Sequence, residues 1–100
     1  MTNKGDLSMT KACMVSTTGN ELIIRAYGRM FTFKKAAVHQ YDIYEHEELI
    51  LHFRKMDHYV MVVNSAGRTI IAVNGEQVAK RSDEECCELA ADLIARWKDK

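Results

Sequence analysis

Apolar and polar residues alternate along most of the chain with a period of two, which is the pattern of strands that bury one face. The clearest case surrounds Tyr27-Gly28, where a two-residue turn would join two strands. The pairs across this turn are Glu21 with Lys34, Leu22 with Phe33, Ile24 with Phe31, and Arg25 with Met30. This register gathers the apolar side chains on one face and sets opposite charges across from each other on the other. It therefore predicts a hairpin.

Five further segments carry strand patterns, and residues that favour turns separate them. They are residues 13–17, 38–44, 48–54, 59–63 and 68–73. In residues 48–54, Leu49, Leu51 and Phe53 are expected to face the core. Asn64-Ser65-Ala66-Gly67 would link the last two segments as a hairpin with a longer loop.

The dipeptide Asn74-Gly75 is a strong turn signal, because both central residues of such a turn need positive φ. It predicts one more hairpin, which pairs Ile71 with Val78 and Ile70 with Ala79. The chain would then contain seven or eight short strands before its last element.

One helix is predicted at residues 83–98, directly after Ser82. Ser82 and Glu85 form a capping-box pattern, in which the hydroxyl and the carboxylate satisfy backbone donors that would otherwise be unpaired. Apolar residues then recur on one helix face. They are Cys86, Leu89, Ala90, Leu93, Ile94 and Trp97. Acidic residues crowd the first turn and basic residues the last, as the helix dipole favours.

These elements predict a mainly β fold of the α+β class. About seven short antiparallel strands in a meander would form a rolled sheet or partial barrel, capped by the C-terminal amphipathic helix. The order of elements is similar to the outline of the pleckstrin-homology-like (PH-like) superfold. In that comparison the phosphoinositide site of lipid-binding members has no counterpart, because residues 17–20 contain neither Lys nor Arg. Residues 1–11 are expected to be a flexible leader, and 12–100 a single domain.

The charge balance limits the classes of partner. The 100 residues contain 14 Lys and Arg against 14 Asp and Glu, a formal net charge of zero. A duplex-DNA binder gains affinity by neutralising phosphates and usually carries a basic excess. With a net charge of zero, copies of the chain also have no net electrostatic repulsion to oppose self-association. The polar start of the chain lacks an apolar signal segment, so we expect a cytoplasmic protein with no membrane partner.

A basic and aromatic segment, residues 25–35, points to a different partner. Aromatic rings interleaved with cations are the platform on which single-stranded nucleic acid binds. The cations of this segment are Arg25, Arg29, Lys34 and Lys35. In the predicted hairpin, however, Phe31 and Phe33 face the core and cannot stack on bases. Core packing is the preferred interpretation, and single-stranded nucleic-acid binding or regulation is the alternative.

Histidines and cysteines show no catalytic or metal-binding spacing. The residues concerned are His39, His46, His52, His58, Cys13, Cys86 and Cys87. No H-x-x-x-H, H-E-x-x-H or C-x-x-C occurs. His52 alternates with Leu51 and Phe53, which predicts an outward side chain, and Cys86 lies in the helix stripe as a small core residue. The sequence therefore predicts no catalytic residue, no cofactor and no metal.

Residues 59–63 are apolar on both faces of their strand. Such a strand must lie between the sheet and the helix or at an interface, because a doubly exposed one would aggregate. Tyr59, Met61 and Val63 are therefore candidate interaction residues. The sequence predicts a small non-enzymatic protein-binding module, an adaptor or inhibitor of an unidentified protein partner, with a homodimer as one form.

Overall fold

The computed structural model describes residues 12–75, 78 and 80–97, so the predicted leader lies outside the described residues. Within that part of the chain, seven strands precede a C-terminal helix. They are β1 (Ala12–Thr18), β2 (Glu21–Ala26), β3 (Arg29–Ala37), β4 (Gln40–Glu45), β5 (Glu48–Lys55), β6 (Tyr59–Val63), β7 (Thr69–Asn74) and α1 (Asp83–Arg96).

The strands form one antiparallel sheet in which each pairs with its neighbours in sequence. The predicted meander with a C-terminal helix is confirmed. The sheet does not close into a barrel, because β1 and β7 lie at opposite ends of the strand order. It curls around α1, which contacts β1, β2 and β3 as well as β5 and β6. The hydrophobic core lies between α1 and the inner face of the sheet, which is the face that α1 covers.

The β2–β3 hairpin has the predicted register, and all four predicted pairs are present. Its turn residues Tyr27 and Gly28 have φ of 53° and 78°, which a two-residue turn of this kind requires. The four apolar side chains of the hairpin are buried in the core. They are Leu22, Ile24, Phe31 and Phe33. The alternation therefore places the aromatic rings of β3 inside the protein.

The helix begins with the predicted capping box. The Oγ of Ser82 accepts a hydrogen bond from the N–H of Glu85 at 3.1 Å, and the N–H of Ser82 donates to the Glu85 carboxylate at 3.1 Å. The helix ends at Arg96, since Trp97 is its C-cap with extended backbone. The predicted end at residue 98 lies outside the described residues, but Trp97 is already not helical.

The buried face of α1 is rotated from the predicted stripe. Cys87 and Ala91 are fully buried, whereas Leu89 and Leu93 are half-buried and Trp97 is 43% exposed. Small side chains allow a close approach of the helix to the sheet, and the distance between packed elements depends on the side chains at the contact. Leu89, Leu93 and Trp97 consequently lie at the borders of the contact.

The predicted hairpin at Asn74-Gly75 is wrong in its second strand. The N–H of Val78 donates to the carbonyl of Gly75 at 3.1 Å, and the N–H of Arg81 donates to the carbonyl of Val78 at 3.2 Å. These local bonds turn the chain away from the sheet. Val78 therefore does not pair with Ile71, and its side chain is buried in the core instead. The predicted partner of Ile70, residue 79, lies outside the described residues.

Two strand expectations also fail locally. Residues 38 and 39 form a turn, so β4 begins at Gln40. In β5, Ile43 pairs with Leu51 and Tyr44 with Leu49, which leaves Ile50 as a β-bulge. The extra residue reverses the alternation, so Leu49 is 44% exposed while Ile50 packs against the core.

No helix among the described residues has the length and apolar content to cross a membrane.

Candidate functional site

The outer face of the sheet, opposite α1, carries two short rows of side chains across β4, β5 and β6. Successive side chains of a strand alternate between faces, so residues between buried positions point outward. Cross-strand pairing places these residues next to one another. The first row is Gln40, Arg54 and Met61, and the second is Asp42, His52 and Val63. Each row has a nitrogen-bearing side chain in the middle and an apolar one on β6.

An open groove with a volume of about 320 Å³ lies over the two rows. The loop between β6 and β7 forms one wall through Asn64, Ser65 and Gly67, and Ala36 of β3 lies at the opposite end. The volume falls in the range of ligand sites, roughly 300–1,000 Å³. The groove is therefore large enough to receive part of a partner.

The wall of this outer groove is held by hydrogen bonds within the loop. The Oδ1 of Asn64 accepts from the N–H groups of Ala66 and Arg68, each at 3.0 Å. The N–H of Gly67 donates to the carbonyl of Asn64 at 2.9 Å. A side chain that satisfies its own loop in this way fixes the local backbone. The wall is thus formed before any partner binds.

In the floor of the groove, His52 is bound to Asp42. The Nδ1 of His52 lies 2.9 Å from Oδ1 of Asp42, and both side chains are about one-third exposed (37% and 33%). A carboxylate at Nδ1 favours the tautomer with the proton on that nitrogen and fixes the ring orientation. The Nε2 atom is then left as the ring's remaining hydrogen-bonding position.

Arg54 differs from its neighbour His52 in having no ion-pair partner among the described residues. Its side chain is exposed and makes no ion pair with any of the described residues. Its cross-strand neighbours are Gln40 and Met61, which carry no charge. The groove therefore contains one carboxylate that already has a partner and one guanidinium without an ion-pair partner among the described residues.

The predicted interaction residues of β6 divide between two places. Met61 and Val63 line the groove and are half-buried. Tyr59 lies on the same face, paired with Asn74, beyond the groove. Val60 and Val62 are buried against the core, so the inner face of the strand is covered. The outer face is only partly covered by the protein's own side chains.

Of the four basic residues predicted as a nucleic-acid contact, Arg29 and Lys34 interact with other side chains of the protein. Arg29 donates from Nε and Nη2 to the two carboxylate oxygens of Glu45, at 2.9 and 2.7 Å. These bonds lower the pKa of the Glu45 carboxyl and raise the pKa of Arg29. The Nζ of Lys34 lies 4.7 Å from the centre of the Tyr44 ring and 3.9 Å from Glu21.

The four cations do not share one face of the sheet. Arg25 and Lys34 alternate with buried residues and point outward. The guanidinium of Arg29 lies over the ring of Phe31, 4.9 Å from its centre. Lys35 pairs with Tyr41, whose side chain is buried. Arg29 and Lys35 therefore lie at the edges of the inner face of the sheet. This arrangement does not form a continuous platform for a nucleic-acid strand.

The other chemically reactive side chains do not assemble into a site. Within residues 12–75, 78 and 80–97, no three His, Cys, Asp or Glu side chains are grouped to hold a metal ion. Burial raises the pKa of the Cys86 and Cys87 thiols, which disfavours the nucleophilic thiolate. His39 lies at the helix start, with Nδ1 2.9 Å from both carboxylate oxygens of Asp83.

Sequence reasoning missed the groove because it depends on the β4–β5 register. The turn pairs Glu45 with Glu48, and an unbroken ladder from that pair would set Asp42 opposite Leu51. The bulge shifts the partner of Asp42 to His52. A shift of one residue exchanges the faces of a strand, and nothing in the local pattern marks its position.

Comparison with known protein families, with curated proteins and with solved structures finds no match to this chain. A function for this chain must therefore be inferred from its geometry.

Proposed function

We propose that this chain is a small non-enzymatic protein-binding module that receives a protein partner in the outer groove and acts as an adaptor or inhibitor of that partner. The observation that carries the proposal is the position of Met61 and Val63. These apolar side chains lie half-buried on the floor of a walled groove, beside the polar groups of His52 and Arg54. Apolar contact area with a few converging polar groups is typical of recognition sites.

The fixed wall supports the same function. Because Asn64 already holds the loop in place, a partner does not need to order it on binding. The entropic cost of ordering a loop otherwise reduces the affinity of an interface. A small groove can therefore contribute measurable affinity.

A second copy of the chain is one protein partner that this surface admits. The formal net charge of zero sets up no net repulsion between copies.

We place the protein in the cytoplasm, where its three free cysteines would remain reduced. The order of the strands and the helix is similar to that of the PH-like superfold. We propose this relationship for the fold alone and draw no function from it.

The test compares two substitutions of the same type on the same face of the sheet. Met61→Arg places a charge in the groove. Met30→Arg is the matched control, because Met30 is 45% exposed on β3 and does not line the groove. Circular dichroism and thermal unfolding check that both variants fold.

The full chain and both variants are immobilised and exposed to a lysate, and bound proteins are quantified by mass spectrometry. We expect the wild type and Met30→Arg to retain the same partner and Met61→Arg to lose it. Light scattering of the three proteins decides whether that partner is a second copy. The proposal is wrong if no protein is lost selectively with Met61→Arg. Salt-sensitive binding of single-stranded oligonucleotides, weakened by Arg25→Glu, would favour the nucleic-acid alternative instead.

A further inference from the structure

We infer that the segment bound in the outer groove is an extended peptide with a carboxylate side chain, which Arg54 receives, and an apolar side chain nearby, which packs on Met61 and Val63. This inference rests on the proposed function, and it specifies the chemistry of the partner.

The charges of the groove favour an acidic group. Asp42 is occupied by His52 at 2.9 Å, whereas Arg54 has no ion pair with a described residue. A guanidinium forms paired hydrogen bonds with a carboxylate, and these are among the stronger ones in proteins. A groove that excludes part of the water strengthens such a pair relative to the open surface. A carboxylate of the bound segment would therefore supply the anionic partner that Arg54 does not find among the described residues.

The spacing of the side chains favours an extended peptide. His52 and Arg54 are two residues apart on β5, so their side chains leave the same face roughly 7 Å apart. Alternate side chains of an extended partner have the same spacing. One of them can therefore meet Arg54 while a polar group meets Nε2 of His52.

The apolar part of the floor lies directly beside these two positions. Met61 is the cross-strand neighbour of Arg54, and Val63 is that of His52. Neighbouring strands are about 4.8 Å apart. An apolar residue within two positions of the acidic one can therefore contact β6 while the carboxylate meets Arg54.

The same groove is poorly suited to a nucleic-acid strand. Aromatic rings that stack on bases must be exposed, but the aromatic residues at this groove, Tyr41 and Phe53, are buried toward the core. A peptide is consequently the better match.

The probe is a library of random peptides displayed on phage and selected against the immobilised full chain. Two charge-reversal variants are selected in parallel. Arg54→Glu reverses the charge in the groove, and Arg25→Glu reverses an exposed outer-face charge on β2 that does not line it. Thermal unfolding confirms that both variants are folded.

We expect the wild type and Arg25→Glu to select peptides with an acidic residue within two positions of an apolar one. Arg54→Glu should bind these peptides at least roughly tenfold more weakly, which is about 1.4 kcal/mol. Replacing the acidic residue of the peptide by Lys should restore binding to Arg54→Glu.

The outcomes separate this inference from the proposed function. Peptides that are lost with Met61→Arg but show no acidic preference, and that bind Arg54→Glu equally well, would overturn the carboxylate while leaving the protein-binding groove in place. If no selected peptide depends on Met61, the extended peptide is overturned, and the lysate capture with Met61→Arg decides separately whether the groove binds a protein. If single-stranded oligonucleotides bind and Arg54→Glu abolishes that binding, the assignment to a peptide is overturned.

Discussion

The Nδ1 of His52 lies 2.9 Å from Oδ1 of Asp42 because Ile50 interrupts the ladder between β4 and β5. The bulge lets Leu51 and Phe53 enter the core while their neighbours His52 and Arg54 line the outer groove. One extra residue thus positions both the core and the candidate site.

The first prediction concerns the strength of this contact. A double-mutant cycle with Asp42→Ala and His52→Ala should give a coupling free energy of less than about 1 kcal/mol at neutral pH, because both side chains are partly exposed. Urea unfolding of the four proteins measures it. The control cycle uses Glu21 and Lys34, whose charged atoms are 3.9 Å apart and more exposed, and should give a smaller coupling. An equal or larger coupling in the control cycle would contradict this description.

The second prediction concerns the Arg29–Glu45 pair and pH. Hydrogen bonds from Arg29 lower the pKa of the Glu45 carboxyl below 4.5, so the pair stabilises the fold above about pH 4.5. This contribution is lost as the pH falls through the lower pKa of the folded state. Arg29→Met should therefore reduce the free energy of unfolding at pH 7 by less than about 1 kcal/mol, since the Arg29 side chain is 39% exposed.

Urea unfolding across the acidic range follows the difference between wild type and Arg29→Met. It should shrink as the pH falls. A remainder independent of pH reports the contact of Arg29 with the Phe31 ring. Arg25→Met is the control and should show no such trend, because Arg25 has no ion pair with a described residue. A difference that grows on acidification would have the wrong sign for this pair.

The third prediction concerns the turn between β4 and β5. His46 and Glu47 have φ of 56° and 65°, in a region that disfavours residues with a Cβ by roughly 1–2 kcal/mol each. Glu47→Gly should raise the free energy of unfolding by about 1 kcal/mol, less the entropy that glycine adds to the unfolded chain. Glu48→Gly, one residue later in β5, should lower it. Equal effects of the two substitutions would show that the left-handed backbone carries no cost.

The fourth prediction concerns thiol reactivity. Burial raises the pKa of the Cys86 and Cys87 thiols, whereas Cys13 is exposed on β1. Iodoacetamide at mildly alkaline pH should modify only Cys13 in the folded protein and all three cysteines in urea. Mass spectrometry counts the labels, and Cys13→Ser should abolish the fast modification. Labelling of Cys86 or Cys87 at the rate of Cys13 would show that the helix is not packed as described.

The parts of the fold that were predictable from sequence are those with strong local signals. The β2–β3 register follows from a two-residue turn flanked by matching apolar positions, and the helix start follows from Ser82 and Glu85. The rotation of α1 toward Cys87 and Ala91 depends on how closely a curled sheet approaches it. That is a tertiary property, and helical periodicity alone does not contain it.

The candidate site was less predictable than the fold. Met61 and Val63 stood out because their strand is apolar on both faces. Asp42, His52 and Arg54 carried no motif, since their proximity to β6 depends on two strand pairings and on the bulge at Ile50. The predicted strand position of Val78 is wrong because Asn74-Gly75 predicts a hairpin equally well whether the chain returns to the sheet or turns toward the helix.

The most direct test of the protein-binding groove is a nuclear magnetic resonance titration of the isotope-labelled full chain with a library-selected peptide. We predict that the largest amide shift changes fall on residues 52–54, 61–63 and 64–67, and that Met61→Arg removes them while Met30→Arg does not. Shift changes concentrated on residues 25–35, with the groove unaffected, would contradict a protein-binding role for the groove.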